Sequence, residues 1–152
     1  MTRDIMRRRA ADNEYLHRDF HGAMSVGLAY LEEQYGEQAA RTYLRRFVHA
    51  YHAPLRRAMC SDGLPPLRAY LERIYRVEEA DFTMTEEAGR LDLDVRACPA
   101  VAYLRGRGQP VARLLPEVPS IVYTALCEET PVSYRRVRHD ARSGGGLHRF
   151  EH

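Results

Sequence analysis

Leu91-Asp92-Leu93-Asp94-Val95-Arg96-Ala97-Cys98-Pro99 decides how this chain is read. Apolar and polar residues alternate with period two, the mark of a strand with one buried face. Leu91, Leu93, Val95 and Ala97 are expected on that face, and Asp92 and Asp94 on the solvated one. Cys98-Pro99 closes the run, because proline has no N–H to give the ladder. A thiol is thereby held where a strand stops.

Upstream the period is helical. From Asp12 or Asn13 a helix carries Leu16, Phe20, Met24, Gly27, Leu28 and Leu31 on one stripe and stops at Gly36. A second helix from about Glu37 to Ala50 carries Ala40, Tyr43, Leu44, Phe47, Val48 and Tyr51. Pro54 kinks it or starts another helix. Ser61-Asp62-Gly63 is a turn, and Pro65-Pro66 opens a helix with Leu67, Tyr70, Leu71 and Ile74 inward. The tyrosines Tyr30, Tyr35, Tyr43 and Tyr51 are expected to pack within the chain, with a partner helix as the alternative.

Downstream, Phe82-Thr83-Met84-Thr85 pairs with Leu91–Ala97 as a hairpin around residues 86–90. Ala100–Arg105 and Val118–Leu126 read as helices. Val132–Val137 and Leu147–Phe150 form a second hairpin, with Gly144-Gly145-Gly146 at its tip. The class is α+β: N-terminal helices packed on an antiparallel sheet, with ββααββ order in the second half. Residues 1–11 are a basic, flexible N-terminus and residues 12–152 a single domain.

Composition sets limits. The 152 residues carry a net charge of +2, and 45% are hydrophobic, enough for one core. No apolar run reaches the ~18 residues of a membrane span, and no signal peptide is read at the start. Neither a membrane nor a nucleic acid is an expected partner. All 23 basic residues are arginine, so no lysine can form a Schiff base. Cys60, Cys98 and Cys127 are too far apart in sequence for a disulfide framework or a zinc knuckle; reduced thiols in a cytoplasm fit better. Cys60 is expected to be buried and structural.

Cys98 and Cys127 are the catalytic candidates. Cys98 precedes a helix start, where free N–H groups lower a thiol pKa. Cys127 lies nearer a helix end beside Glu128 and Glu129, which raises it. His148, on a facing strand, is the candidate base, and Glu128 a candidate acid or base. Arg113, Arg136 and His139 are candidates to hold a small anionic or zwitterionic molecule. In Arg135-Arg136-Val137-Arg138, regular alternation puts Arg136 and Arg138 on one face and Arg135 on the other. His17 and His21, four apart, and His49 and His52, three apart, share helix faces. Four imidazoles across a helix pair would suit zinc or iron, but histidines flanking the apolar stripes are preferred, and no cofactor is expected.

Several stretches resemble the L-2-amino-thiazoline-4-carboxylic acid hydrolase-like family. They are Asn13-Glu14-Tyr15-Leu16-His17-Arg18, Cys98-Pro99-Ala100-Val101, Val111-Ala112-Arg113-Leu114, Ala125-Leu126-Cys127-Glu128-Glu129-Thr130-Pro131 and Leu147-His148-Arg149-Phe150. The resemblance spans about residues 12–150, with Cys98 and Cys127 its most specific part. It implies ring-opening hydrolysis of a cyclic, amidine-like C–N bond in a small amino-acid-like heterocycle. His148 stands where the family leads one to expect a cysteine. The sheet half also resembles ligand-binding domains of the vinyl-reductase type. A thiol-dependent hydrolase is therefore one expectation and a non-catalytic ligand- or metal-binding module the other; a homo-oligomer is left open.

Overall fold

The computed structural model describes residue 18 and residues 20–152. The expected helix start at residues 12–13, the basic N-terminus and His17 lie outside the described residues. Four helices come first: α1 (Phe20–Tyr35), α2 (Glu37–Tyr51), α3 (Ala53–Asp62) and α4 (Leu64–Val77). Pro54 sits in the first turn of α3, where its missing N–H costs nothing, so it begins a new helix. Then come β1 (Phe82–Glu87), β2 (Arg90–Val95), α5 (Pro99–Gly106), a 3₁₀ turn (Leu115–Glu117), α6 (Val118–Cys127), β3 (Ser133–His139) and β4 (Gly146–Glu151). This is the expected α+β order, helices before a four-stranded antiparallel sheet.

The strand order is β1-β2-β4-β3. Two hairpins meet through β2 and β4, with Leu91 opposite Phe150 and Leu93 opposite His148. The alternation in β2 places Leu91, Leu93 and Val95 on the inner face, fully buried. Each such side chain contributes about 1.5–3 kcal/mol through removal from water. Asp92 and Asp94 look outward, where Arg149 grips Asp92 with two hydrogen bonds of 2.7 and 2.8 Å and Arg138 reaches Asp94. Arg149 holds the Asp92 carboxyl below its ordinary range. The strand ends at Val95, earlier than expected, so Ala97 is half-buried beyond the ladder.

Two further details differ from the sequence expectation. The first hairpin turns on two residues, Ala88 and Gly89, both at positive φ (43° and 79°), and Glu87 pairs with Arg90. That is the tight turn matched to strand twist, so β1 continues through residues expected to form a loop. In β3 a bulge at Val137 breaks the alternation: Arg136 pairs with His148, yet Arg138 pairs with the very next partner, Leu147. Arg136 and Arg138 therefore face opposite ways, and Arg138 shares the open face with Arg135.

The core has two clusters. One lies between the inner sheet face and α4 and α6, with Leu71, Leu91, Leu93, Leu126 and Phe150. The other joins α1, α2 and α5 through Leu28, Leu44, Leu104, Leu115 and Cys98. Helix α2 serves both, through Leu44 and Val48. Tyr30, Tyr35, Tyr43 and Tyr51, expected to pack inside, are all exposed. Among the described residues, no helix is long and apolar enough to cross a membrane.

Candidate functional site

Cys98 caps the N-terminus of α5 with extended backbone, its N–H donating to the Ser143 carbonyl at 2.9 Å. The limb 143–146 seals it. A Cβ on Gly144 would come 2.7 Å from the Cys98 Cβ, and Gly144 has φ 68°. The triple glycine is thus no free hairpin tip but the wall over the thiol. The sulfur lies among the apolar side chains of the second cluster. Burial pushes its pKa up, while the N–H groups of Val101 and Ala100 pull it down; burial prevails. The expected lowering is reversed, because the helix end that stabilises a thiolate is here cut off from water.

Cys127 ends α6 in the other cluster, and burial pushes its thiol up to about 12. Cys60, expected to be buried, is exposed on α3, its sulfur 3.7 Å from the Glu129 carbonyl. All three thiols are free.

His148 faces inward from β4 and is 2% exposed. Its Nδ1 shares a hydrogen bond of 2.8 Å with the Tyr134 hydroxyl, and the Tyr123 ring meets it edge-on at 5.0 Å. Tyr123 and Tyr75 share a 2.5 Å hydroxyl–hydroxyl bond. Burial, with Arg136 and His139 nearby, pushes the imidazole down to about 4, so it is neutral at pH 7. Burial raises all three phenols, Tyr134 to about 12. This buried knot escapes the sequence reading, although Tyr134 lies on the inward register of β3 opposite Phe150. No hydrogen bond joins His148 to a thiol.

The remaining candidates are scattered, each in a bond that ties elements together. Glu128 caps the end of α6 and accepts hydrogen bonds from Arg45 at 2.7 and 3.0 Å, with His49 at an ion-pair distance of 2.8 Å, which straps α6 to α2. Arg113 spans Glu32 and Glu37 at 2.7 and 2.8 Å across the α1–α2 turn. Arg136 and His139 share one carboxylate, Glu117, at 2.6 and 2.7 Å. His21 pairs with Glu78 at 3.0 Å, and His52 sits against Tyr70 with its pKa lowered by burial. The three described histidines of the four-imidazole alternative thus go to different partners. Among the described residues no group of three His, Cys, Asp or Glu is placed to hold a metal.

An open cleft of about 470 Å³ lies at the end of the sheet, and a smaller one of about 350 Å³ adjoins it at Asp81 and Arg96. The charged lining of the larger cleft includes Asp81, Asp94, Arg96 and Arg138, with Thr83 and His139 beside them. Arg96 pairs with Asp81 at 2.9 Å and Arg138 with Asp94 at 2.5 Å. Arg96 is no candidate in the sequence, and Arg138 enters only through the basic run Arg135–Arg138, on the same face as Arg136; the bulge at Val137 is what turns it to this side. Comparison with protein-family models, curated proteins and solved structures finds no match. The class these features define is an α+β protein with two buried thiols, Cys98 and Cys127, and an open charged cleft.

Proposed function

We propose that this chain binds a small zwitterionic molecule without turning it over, in the cleft between Arg96 and Arg138. The observation that carries this is the pair of exposed ion pairs lining it, Arg96–Asp81 and Arg138–Asp94. Exposed pairs are worth only ~0–1 kcal/mol each, so they exchange partners at little cost. A ligand carboxylate takes a guanidinium in bidentate fashion, and its ammonium group takes the released aspartate. The family resemblance supports an amino-acid-like ring as the ligand. The sealed Cys98, with its raised pKa and no imidazole bonded to it, supports binding over catalysis.

Calorimetry with a cyclic amino acid such as proline or a thiazoline carboxylate tests this. Binding that weakens at least tenfold in both Arg96→Ala and Arg138→Ala, with the ligand recovered intact, is the expected result. Heats unchanged by both substitutions would remove the cleft from the account.

One observation favours the hydrolase as the second reading: the N–H groups of Ala100 and Val101 are aimed at the Cys98 sulfur. In that reading Cys98 or Cys127 attacks the amidine-like carbon, and His148 or His139 moves the proton. The ring nitrogen takes that proton and leaves as the C–N bond breaks; water then attacks the same carbon, the C–S bond breaks and the thiol is restored, for a net gain of one water. A product heavier by one water, formed by the wild type and lost in Cys98→Ser, would establish it over the binding reading.

A further inference from the structure

Helix α1 is apolar on both sides. Ser25 and Leu28 face the core, while Ala23, Val26 and Tyr30 recur at three- and four-residue spacing on the opposite, exposed side. Val26 is 71% exposed and Tyr30 56%. From Phe20 to Leu31 there is no Asp, Glu or Arg. An apolar helix of this kind is found where both sides are covered. Among the described residues, six of the seven exposed large hydrophobics lie on α1 and α2: Phe20, Val26, Tyr30, Tyr35, Tyr43 and Tyr51.

We propose that the outer face of the α1–α2 hairpin joins a second copy of this chain across a two-fold axis, α1 against α1, antiparallel. Charge and level choose the occupant. Gly36 alone connects the two helices, which run as antiparallel neighbours. Tyr30 lies six residues before it and Tyr43 seven after, so at ~1.5 Å per residue both sit about 10 Å from the turn. Glu33 lies about 5 Å from the turn and Arg46 about 15 Å. Both are exposed, and neither has an ion-pair partner among the described residues. Each is three residues from its tyrosine and shares that tyrosine's face.

A two-fold axis at the level of the tyrosines brings Glu33 of one copy level with Arg46 of the other, twice. The tyrosines then meet their own counterparts at the centre, where aromatic anchors carry most of an interface's energy. Gly27 flanks the stripe with nothing within 4 Å of where a Cβ would stand, which leaves room for a partner ring. A half-exposed tyrosine offers about 100 Å². Val26, Tyr30, Tyr35 and Tyr43 together supply about half of the ~800 Å² per partner of a standard interface. The exposed residues around them, Ala23, Gln34 and Ala50 included, supply the rest.

Sedimentation of the full chain between 1 and 100 µM (roughly the range in which such interfaces assemble) is expected to show a species of twice 17.6 kDa. Tyr30→Glu is expected to give a monomer with unchanged circular dichroism. Glu33→Arg is expected to weaken the dimer about tenfold, because two symmetry-related pairs are lost. Adding Arg46→Glu to it restores the affinity. This reversal decides the matter even if Tyr30→Glu fails to fold. A wild-type monomer at every concentration overturns the proposal. So does a dimer that appears only when residues 1–17 are removed, which would mean the chain's own N-terminal segment covers this face. A dimer indifferent to both charge changes overturns the register.

Discussion

At the scale of single residues, His148 shows how burial sets chemistry. The imidazole sits under the sheet with one nitrogen on Tyr134 and is pushed from 6.5 to about 4. The unfolded chain therefore binds the proton more tightly than the fold does. Stability from this group is complete above pH 6.5 and is lost progressively as the pH falls toward 4, where the imidazole must charge in place or unfold. Each tenfold change in proton affinity is worth ~1.4 kcal/mol, so the loss is on the order of 3 kcal/mol. Urea titrations at pH 7 and pH 4.5 of the wild type and His148→Leu are expected to show a smaller pH-dependent loss in the variant. Equal losses would mean the acid sensitivity resides elsewhere. The two buried thiols, Cys98 and Cys127, follow the same logic. Cys98 has the helix N–H groups that sequence foresees, but sequence does not show the 143–146 limb folding over it.

At the scale of elements, the β1–β2 turn offers a direct test. Ala88 adopts φ 43°, which suits asparagine or glycine and strains alanine. Ala88→Asn creates the Asn-Gly pair that this turn favours. It is expected to stabilise the protein by about 0.5–1 kcal/mol, read as a rise in Tm. A fall in Tm would show that the turn is held by other contacts. The same position explains what was legible. Leu91, Leu93 and Val95 announced their strand because period two needs no partner to be seen. The turn carried no such mark, since alanine gives no sign of positive φ. The bulge at Val137 was equally silent: Arg135 to Arg138 reads as regular alternation, and only pairing with β4 reveals the extra residue. Glu128, Arg113 and Arg136 drew notice as chemistry because their charges were visible and their partners, 83, 76 and 19 residues away, were not.

At the scale of the whole molecule, α2 gives fully buried residues to both core clusters. Leu44 belongs to the cluster of Cys98, and Val48, one turn on, to the cluster under the sheet. Leu44→Ala is expected to cost about 2–5 kcal/mol. Because the helix is shared, the loss should appear far from the substitution, as faster amide exchange in β2 and β4. Protection that falls only around α1 and α5 would show that the two clusters open independently. The open cleft and the exposed tyrosines lie on different elements, so a ligand and a second copy have separate surfaces.

The placement of β4 between β2 and β3 bears on how the chain is made. On a ribosome, β1 and β2 emerge together and can zip at once, since only two residues separate them. One long edge of β2 then stays bare until β4 arrives, with Asp92 waiting for Arg149, 57 residues later. For that interval the nascent chain displays Leu91, Leu93 and Val95 beside an unpaired row of amides, the form of strand that invites a stranger. Asp92 and Asp94 place two negative charges along that edge, so the carboxylates that later pair with arginines also discourage premature neighbours.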